Sequence, residues 1–386
     1  MGEYFLKCLK CSGLVEGFAP RCACGGAVET FYDLSNAVVR KTKDYFDPFD
    51  VFFDILPIRE RTHILASSNS PTRLIHSKKI GEKTGLKNLY LKVEGDLPTG
   101  TTKDRMASVS LSFLKENAVS DFVLATTGNT GAAYAYGAKL HPFFRIHIFF
   151  YGAGARLASG LSEEVFFYQT KNNFDSCSRI AKDFSEKNGI VWEGGFFNPA
   201  RRDGLKLAYA EAVVQSNLCF DSYFQSVSSG MGILGTFKGA NELVELGVLD
   251  HAPKMHPVQE DTCSPMVNAF LEKSGTIRPR HIVSSPAGIC KAILRGNPSS
   301  SYPYVLDCVK KSRGNFEKVS EVEIRQAMNL LRICEGLLVG EEGGAALAGA
   351  IKARCDGKVD EDELLLVNLS SGKLRLRSPP TTFRSL

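Results

Sequence analysis

LPTGTTKDRMA, residues 97–107, is the stretch on which the reading of this chain turns. Lys103 follows a proline, a glycine and three threonines, and Asp104-Arg105 comes directly after it. The small residues read as the entrance to a helix running from Lys103 to Lys115. An exposed lysine is the bland reading of Lys103, yet its charge is unfavourable beside the positive end of a helix dipole. A lysine set there makes more sense if that charge is not retained. For Asp104 and Arg105 the expectation is a structural pair on the surface.

Outward from this segment, strands and helices alternate. NLYLKV (88–93), DFVLATT (121–127) and RIHIFF (145–150) read as strands, and a small-residue helix starts at Asn129. Farther on come YFQSV (223–227), a helix from Gly232, the strand MHPVQ and a helix from Pro265. Helices at 320–334 and 343–354 precede a last strand, ELLLVNL (363–369). This order predicts an α/β fold with parallel sheets flanked by helices on both faces. Residues 31–70 read as an irregular connector, and no repeat or low-complexity segment is present.

The chain has 386 residues, 44% hydrophobic and 23% charged, which is ordinary globular composition. Forty-seven basic against 42 acidic residues give a formal charge of +5, too mild to argue for nucleic acid. The most apolar stretch, RIHIFFYGAGARLA, is short and holds two arginines and a histidine, so no membrane span is expected. The N-terminus lacks a charged-then-apolar signal pattern, so the expected location is cytoplasmic. Eleven cysteines, an odd number, argue against a disulfide framework. Cys8 and Cys11, then Cys22 and Cys24, read as two knuckles around one tetrahedral zinc. The second pair is CxC rather than CxxC, so reduced thiols without metal stay open. Four thiolates would close the coordination shell, which makes the zinc structural and the segment an appendage. The other seven cysteines read as buried thiols. The expected domains are a zinc-ribbon-like segment at 1–35 and a catalytic domain at 36–386, whose smaller lobe covers roughly 105–200.

Three small-residue loops follow strands: TTGNTGAA (126–133), SSGMGILG (228–235) and NLSSGKLR (368–375). Ligands of parallel sheets bind beyond the carboxyl ends of strands, where helix N-termini offer free N–H groups to anions. Each loop alone is also readable as a plain turn. GMGILG matches a dinucleotide fingerprint, but the acidic residue that should end the next strand is absent; Glu242 and Glu245 fall within the helix. An aldehyde would remove the charge of Lys103 by condensing with it, and pyridoxal 5′-phosphate (PLP) is the common aldehyde cofactor.

These segments resemble the threonine synthases. PTGTTKDRMA is similar to their Pro-Thr-Gly-Ser-Phe-Lys-Asp-Arg segment, TTGNTGAA to their Ser-Thr-Gly-Asn-Thr loop, and SSGMG to their phosphate-cradling loop. GNPSSSYPYV (296–305), EGLLVGEEGGAALAGA (335–350) and the cysteine pairs at 8–24 also resemble that family. The resemblance implies a two-lobed fold-type-II PLP enzyme of the tryptophan-synthase-β-like superfamily, and a homodimer. It implies that Lys103 holds PLP covalently and shuttles protons, and that Asn129 bonds the cofactor's 3′ oxygen. Thr126, Thr127, Gly128 and Thr130 would surround the carboxylate of a small amino-acid substrate. The N–H groups of Ser229, Gly230, Met231 and Gly232 would hold the cofactor phosphate. Ser370 would face the pyridine nitrogen; its alternative is a turn serine. A hydroxyl there makes the ring a weaker electron sink and favours expulsion of a β or γ leaving group over transamination.

Departures from the pattern bear on the substrate. Thr102 stands where the family has phenylalanine, and Gly195-Phe196 where it has an Asn-Ser pair that binds the substrate phosphate. EGGFFNPARRDG (193–204), SYFQSVSSGMG and LLLVNLSSGKLR resemble the related cysteate synthases more closely. Arg201, at the start of a helix, is the expected anchor for an anionic substrate tail, with Arg202 as competitor. Pairing of both with carboxylates such as Asp203 or Glu211 is the structural alternative. Three readings remain: a threonine synthase-like lyase acting on O-phosphohomoserine; β-replacement on O-phosphoserine or another activated serine, cysteate synthase-like; and a catalytically silent scaffold with an interaction ribbon.

Overall fold

The computed structural model describes residues 3–40, 46–151, 162–171 and 173–373. The end of the loop 368–375 therefore lies outside the described residues. The chain divides into two compact units. Within the described residues, the first takes in the chain up to Pro71 and Lys103–Leu205, the second Thr72–Thr102 and the chain from Lys206 onward.

The first unit holds a four-stranded parallel sheet, ordered Val165–Thr170, Arg145–Tyr151, Asp121–Thr126, Val191–Trp192. Its strands are apolar on both faces because helices cover both; Val123, Phe149 and Tyr168 pack with Cys177 and Ala181 of the helix Phe174–Asn188. That helix starts at Asn173, whose side chain accepts from Ser176 N–H, and stops at Gly189 in the left-handed region. A three-stranded antiparallel sheet, Leu14–Val15, Tyr4–Cys8, Val28–Tyr32, carries the cysteine cluster. It is more than an appendage: Tyr4, Leu6, Ala27 and Val28 are buried, and Tyr4 meets Phe113 edge-on. Nor is the connector merely a link, since Phe49, Val51, Phe52, Ile55, Leu56 and Ile58 are all buried.

The second unit holds a six-stranded sheet, ordered Glu317–Val319, Lys254–Glu260, Ser222–Ser226, Leu364–Leu369, Asn88–Val93, Leu74–His76. All neighbours are parallel except the last pair, so the sheet is mixed rather than purely parallel. The alanine- and glycine-rich helix Glu341–Cys355 is buried along most of its length. A side chain at Gly349 would meet Val258 Cγ2 at 2.5 Å, which explains how closely this helix lies on its sheet. None of the described helices is long and apolar enough to cross a membrane.

Five of the seven scattered cysteines are buried; Cys219 is half-buried and Cys355 exposed. Burial pushes the thiols of Cys177 and Cys263 up to about 11, so both stay protonated.

Candidate active site and metal centre

In the first unit, Lys103 is the first residue of the helix Lys103–Glu116. The side chain is half-buried, whereas every residue from Asp104 to Leu114 is buried. Asp104 and Arg105 thus do not form a surface pair: each is at most 4% exposed. The reason is packing on all sides; a Cβ on Gly204 would come within 2.6 Å of the Arg105 carbonyl oxygen, so the helix Pro199–Ser216 lies directly against this turn.

The strand Asp121–Thr126 delivers the next loop. Gly128 adopts φ +134, ψ −66, open only to glycine, and the helix Asn129–Leu140 begins after it. Thr126 is buried, and its Oγ1 accepts from the N–H groups of Gly128 (2.9 Å) and Gly131 (3.1 Å). Its hydroxyl is therefore used to shape the loop, while Thr127, Asn129 and Thr130 are half-buried at its rim.

Arg201 is buried and engaged. Its Nε donates to Glu193 Oε1 at 2.6 Å and an Nη donates to Oε2, a two-pronged ion pair. The guanidinium also lies 5.2 Å from the centroid of the Tyr134 ring. Burial alone would lower its pKa, but the Glu193 charge more than offsets that and raises it. Burial likewise raises the Tyr134 phenol, which stays protonated and donates to Glu193 at 2.6 Å. Arg202 donates to Glu29 (2.8 Å), the Phe196 carbonyl (2.7 Å) and the Val28 carbonyl. Both arginines are buried and paired, Arg201 with the buried Glu193 and Arg202 with the half-buried Glu29, and neither with Asp203 or Glu211. Sequence reasoning missed Glu193 and Tyr134 altogether; a partner eight residues away in a loop leaves no periodic signal.

In the second unit, the strand Ser222–Ser226 leads to Gly230, at φ +81, and then the helix Met231–Glu245. Leu234 N–H makes the first ladder bond, to the Gly230 carbonyl, so the N–H groups of the first turn lie outside the ladder. Neither glycine tolerates a side chain: a Cβ would sit 2.3 Å from Val305 Cγ2 at Gly230 and 2.4 Å from Gln225 Nε2 at Gly232. Gln225 is held by Tyr223 OH (2.9 Å), itself bonded by Asn368 (2.8 Å). Ser229 and Met231 are half-buried at the edge. Bare N–H groups thus lie over a crowded, glycine-floored helix N-terminus, a geometry that can take an anion.

Ser370 follows the strand Leu364–Leu369 and is buried. Its carbonyl accepts from Thr102 N–H at 3.0 Å, Ser371 bridges Thr101, and Gly372 N–H donates to Gly100 at 2.9 Å. Gly95 lies so close to Gly372 that a Cβ would reach its Cα at 2.7 Å. The segment that ends one residue before Lys103 is thus pinned along its length. A model described as pyridoxal-phosphate dependent enzyme matches residues 65–371.

The chain belongs to the pyridoxal-phosphate dependent enzyme family. It is 29% identical to the threonine synthase of Methanocaldococcus jannaschii over 392 residues, 98% of this chain and 94% of that one. It is 26% identical to the cysteate synthase of Methanocella paludicola over 403 residues, 98% and 91% of the two chains. Maize serine racemase, a solved structure, superposes with a TM-score of 0.64 at 19% identity, over 79% of this chain and 89% of that one. The fold is that of the fold-type-II PLP enzymes, and the chain is a PLP-dependent lyase or synthase. The family match speaks against a catalytically silent scaffold.

The four Sγ atoms of Cys8, Cys11, Cys22 and Cys24 lie within 4.8 Å of one another, with 3.5 Å between Cys8 and Cys24 and 3.7 Å between Cys11 and Cys22. Tetrahedral zinc with Zn–S near 2.3 Å would place its sulfurs about 3.8 Å apart, so the donor set fits. A Cβ on Gly26 would stand 2.6 Å from Cys8 Sγ, inside the cage. The Cys8 thiol is pulled down to about 6, chiefly by a backbone hydrogen bond from Cys11, against burial and with help from Lys10 N–H at 3.3 Å. Such a thiol is ready to serve as a thiolate ligand.

Proposed function

We propose that this enzyme removes a leaving group from the side chain of an amino acid and puts a nucleophile in its place, in the manner of the threonine synthases. The substrate of that reading is O-phosphohomoserine, the nucleophile water and the product threonine. PLP, when bound, supplies the electron sink that lets a β or γ substituent depart. Lys103 holds the cofactor covalently, and its Nζ afterwards moves protons to and from the substrate. Asn129 donates to the cofactor's 3′ oxygen. Thr127, Gly128 and Thr130 take the substrate carboxylate, on a loop whose shape Thr126 maintains. The N–H groups from Ser229 to Gly232 hold the cofactor phosphate. Ser370 meets the pyridine nitrogen with a hydroxyl, which keeps the chemistry on elimination and replacement. The observation that carries this reading is the placement of Lys103, half-open at the head of a helix that is otherwise buried through Leu114.

A second reading, β-replacement on O-phosphoserine or a related serine derivative, has one observation in its favour. The forks of Arg201 and Arg202 are taken up by Glu193 and Glu29, beside an apolar Gly195-Phe196 where the resemblance expects phosphate contacts, which favours a serine derivative with an uncharged leaving group within this reading. We therefore read Arg201 as a positioning residue rather than the anchor of an anionic tail. Titration of the holoenzyme with O-phosphohomoserine, O-phosphoserine and O-acetylserine, followed by cofactor absorbance, separates the two. A response to O-acetylserine with none to O-phosphohomoserine sinks the first reading.

A further inference from the structure

We infer that the Cys8, Cys11, Cys22, Cys24 centre is a clamp on the segment 193–203, and through it on the two helices that open at Lys103 and Asn129. The inference rests on the reading that the four thiols hold zinc.

Residues 9–14, 16, 17 and 23–25 are exposed, so this loop pair has almost no apolar core of its own. Four thiolates within 4.8 Å of one another repel unless a cation lies among them. Metal is then the cross-link that gives the ribbon a fixed edge. Against that edge the segment 193–203 is folded at four places. Pro20 lies on the backbone of Gly194, where a Cβ would stand 2.4 Å from the proline ring. The Arg21 guanidinium sits 3.4 Å from the centroid of Phe197. Arg202, 2% exposed, joins the Phe196 carbonyl to Val28 and Glu29 of the ribbon. Thr30 donates to Asp203 where both are fully buried. Pro20 and Arg21 directly precede the ligand Cys22, and Val28 to Thr30 follow Cys24 on the strand that leaves the cage.

The clamped segment reaches inward. Glu193 accepts from Tyr134 OH at 2.6 Å, on the helix that begins at Asn129. It also accepts from Ser110 Oγ at 3.3 Å, on the helix that begins at Lys103. Asn198 donates to Ser110 at 2.9 Å. Polar contacts thus link the strand Val28–Tyr32 to the segment 193–203, and that segment to both helices. Losing the cage edge removes one wall from each link; Arg202 would be left with a buried charge and fewer acceptors.

Hydrogen exchange of the whole enzyme with and without metal tests the clamp. Zinc content is measured in parallel, and peptides spanning 193–203 are compared with a control strand, Lys254–Glu260. Removal of zinc by a chelator should speed exchange in 193–203 by about tenfold or more and leave the control unchanged. Emission of Trp192, the only tryptophan in the chain, should shift with it. Thr30→Val, which removes one clamp contact and no charge, should speed exchange in the same peptides while zinc stays near one per chain. A zinc-loaded protein whose 193–203 exchange is the same after unloading overturns the clamp and leaves the metal reading standing. A folded wild type that takes up no zinc overturns both.

Discussion

Glu193→Gln should destabilise the first unit severely, and the size follows from its partners. The carboxylate is fully buried and accepts only: from Arg201 twice, Tyr134 OH (2.6 Å), Asn198 Nδ2 (2.7 Å), Gly195 N–H (3.0 Å) and Ser110 Oγ (3.3 Å). A glutamine amide sets an N–H₂ against this ring of donors and leaves the Arg201 charge buried without a counter-charge. Breaking a buried pair on one side costs about 3–5 kcal/mol. At 2–4 °C per kcal/mol for a unit of this size, Tm should fall by roughly 6–20 °C. Thermal unfolding followed by Trp192 emission reads it from the same segment. Glu193→Gln with Arg201→Met removes the uncompensated charge while the glutamine carbonyl still accepts from its remaining neighbours, and should recover part of the loss. A single substitution that moves Tm by less than about 2 °C, or a double one no better than the single, would refute the argument. Arg201 would then be free to serve a substrate.

Borohydride reduction of the holoenzyme followed by peptide mapping should label Lys103, and a label on another lysine displaces the proposed site. Gly230→Ala must take φ +81 with a Cβ 2.3 Å from Val305; PLP affinity should fall at least about 30-fold, equivalent to about 2 kcal/mol of strain and crowding, by cofactor titration. An unchanged affinity would mean the loop does not hold the phosphate. Burial holds His256 neutral and pulls its pKa down from 6.5 to about 3, with the ring stacked 4.3 Å from Phe224. The unfolded chain binds that proton first, so His256 lowers stability as pH falls from about 6.5 to about 3, by up to about 1.4 kcal/mol per unit. His256→Phe should flatten that part of the acid limb in pH-dependent unfolding; coincident limbs would contradict it.

The elements buried on both faces were the legible ones. Asn88–Val93 falls where the run NLYLKV predicts it, and Asp121–Thr126 and Leu364–Leu369 differ from expectation by one residue at one end. Leu74–His76, Val191–Trp192 and Glu317–Val319 carry two or three residues each and leave no pattern to count. The run 51–58 is apolar without period, so its burial was invisible until its neighbours were in place. Lys103 and the glycine loops were legible because their chemistry is local: a helix start, a positive φ, a bare N–H. Arg201 was not. Its helical position could be read, but the acid that engages it comes from the turn before the helix and is chosen by tertiary packing.

The pinning of residues 95–102 by residues 370–372 bears on how the protein is made. These two segments are separated by roughly 270 residues, contacts of the slow, non-local kind. During synthesis the stretch before Lys103 leaves the ribosome early and waits, at 5–20 residues per second, about 15 seconds to a minute for its partner. Over that interval its unpaired backbone is open to solvent and to other nascent chains. A chain stopped at Leu369 would carry every residue of the Lys103 helix and still lack the staple in front of it.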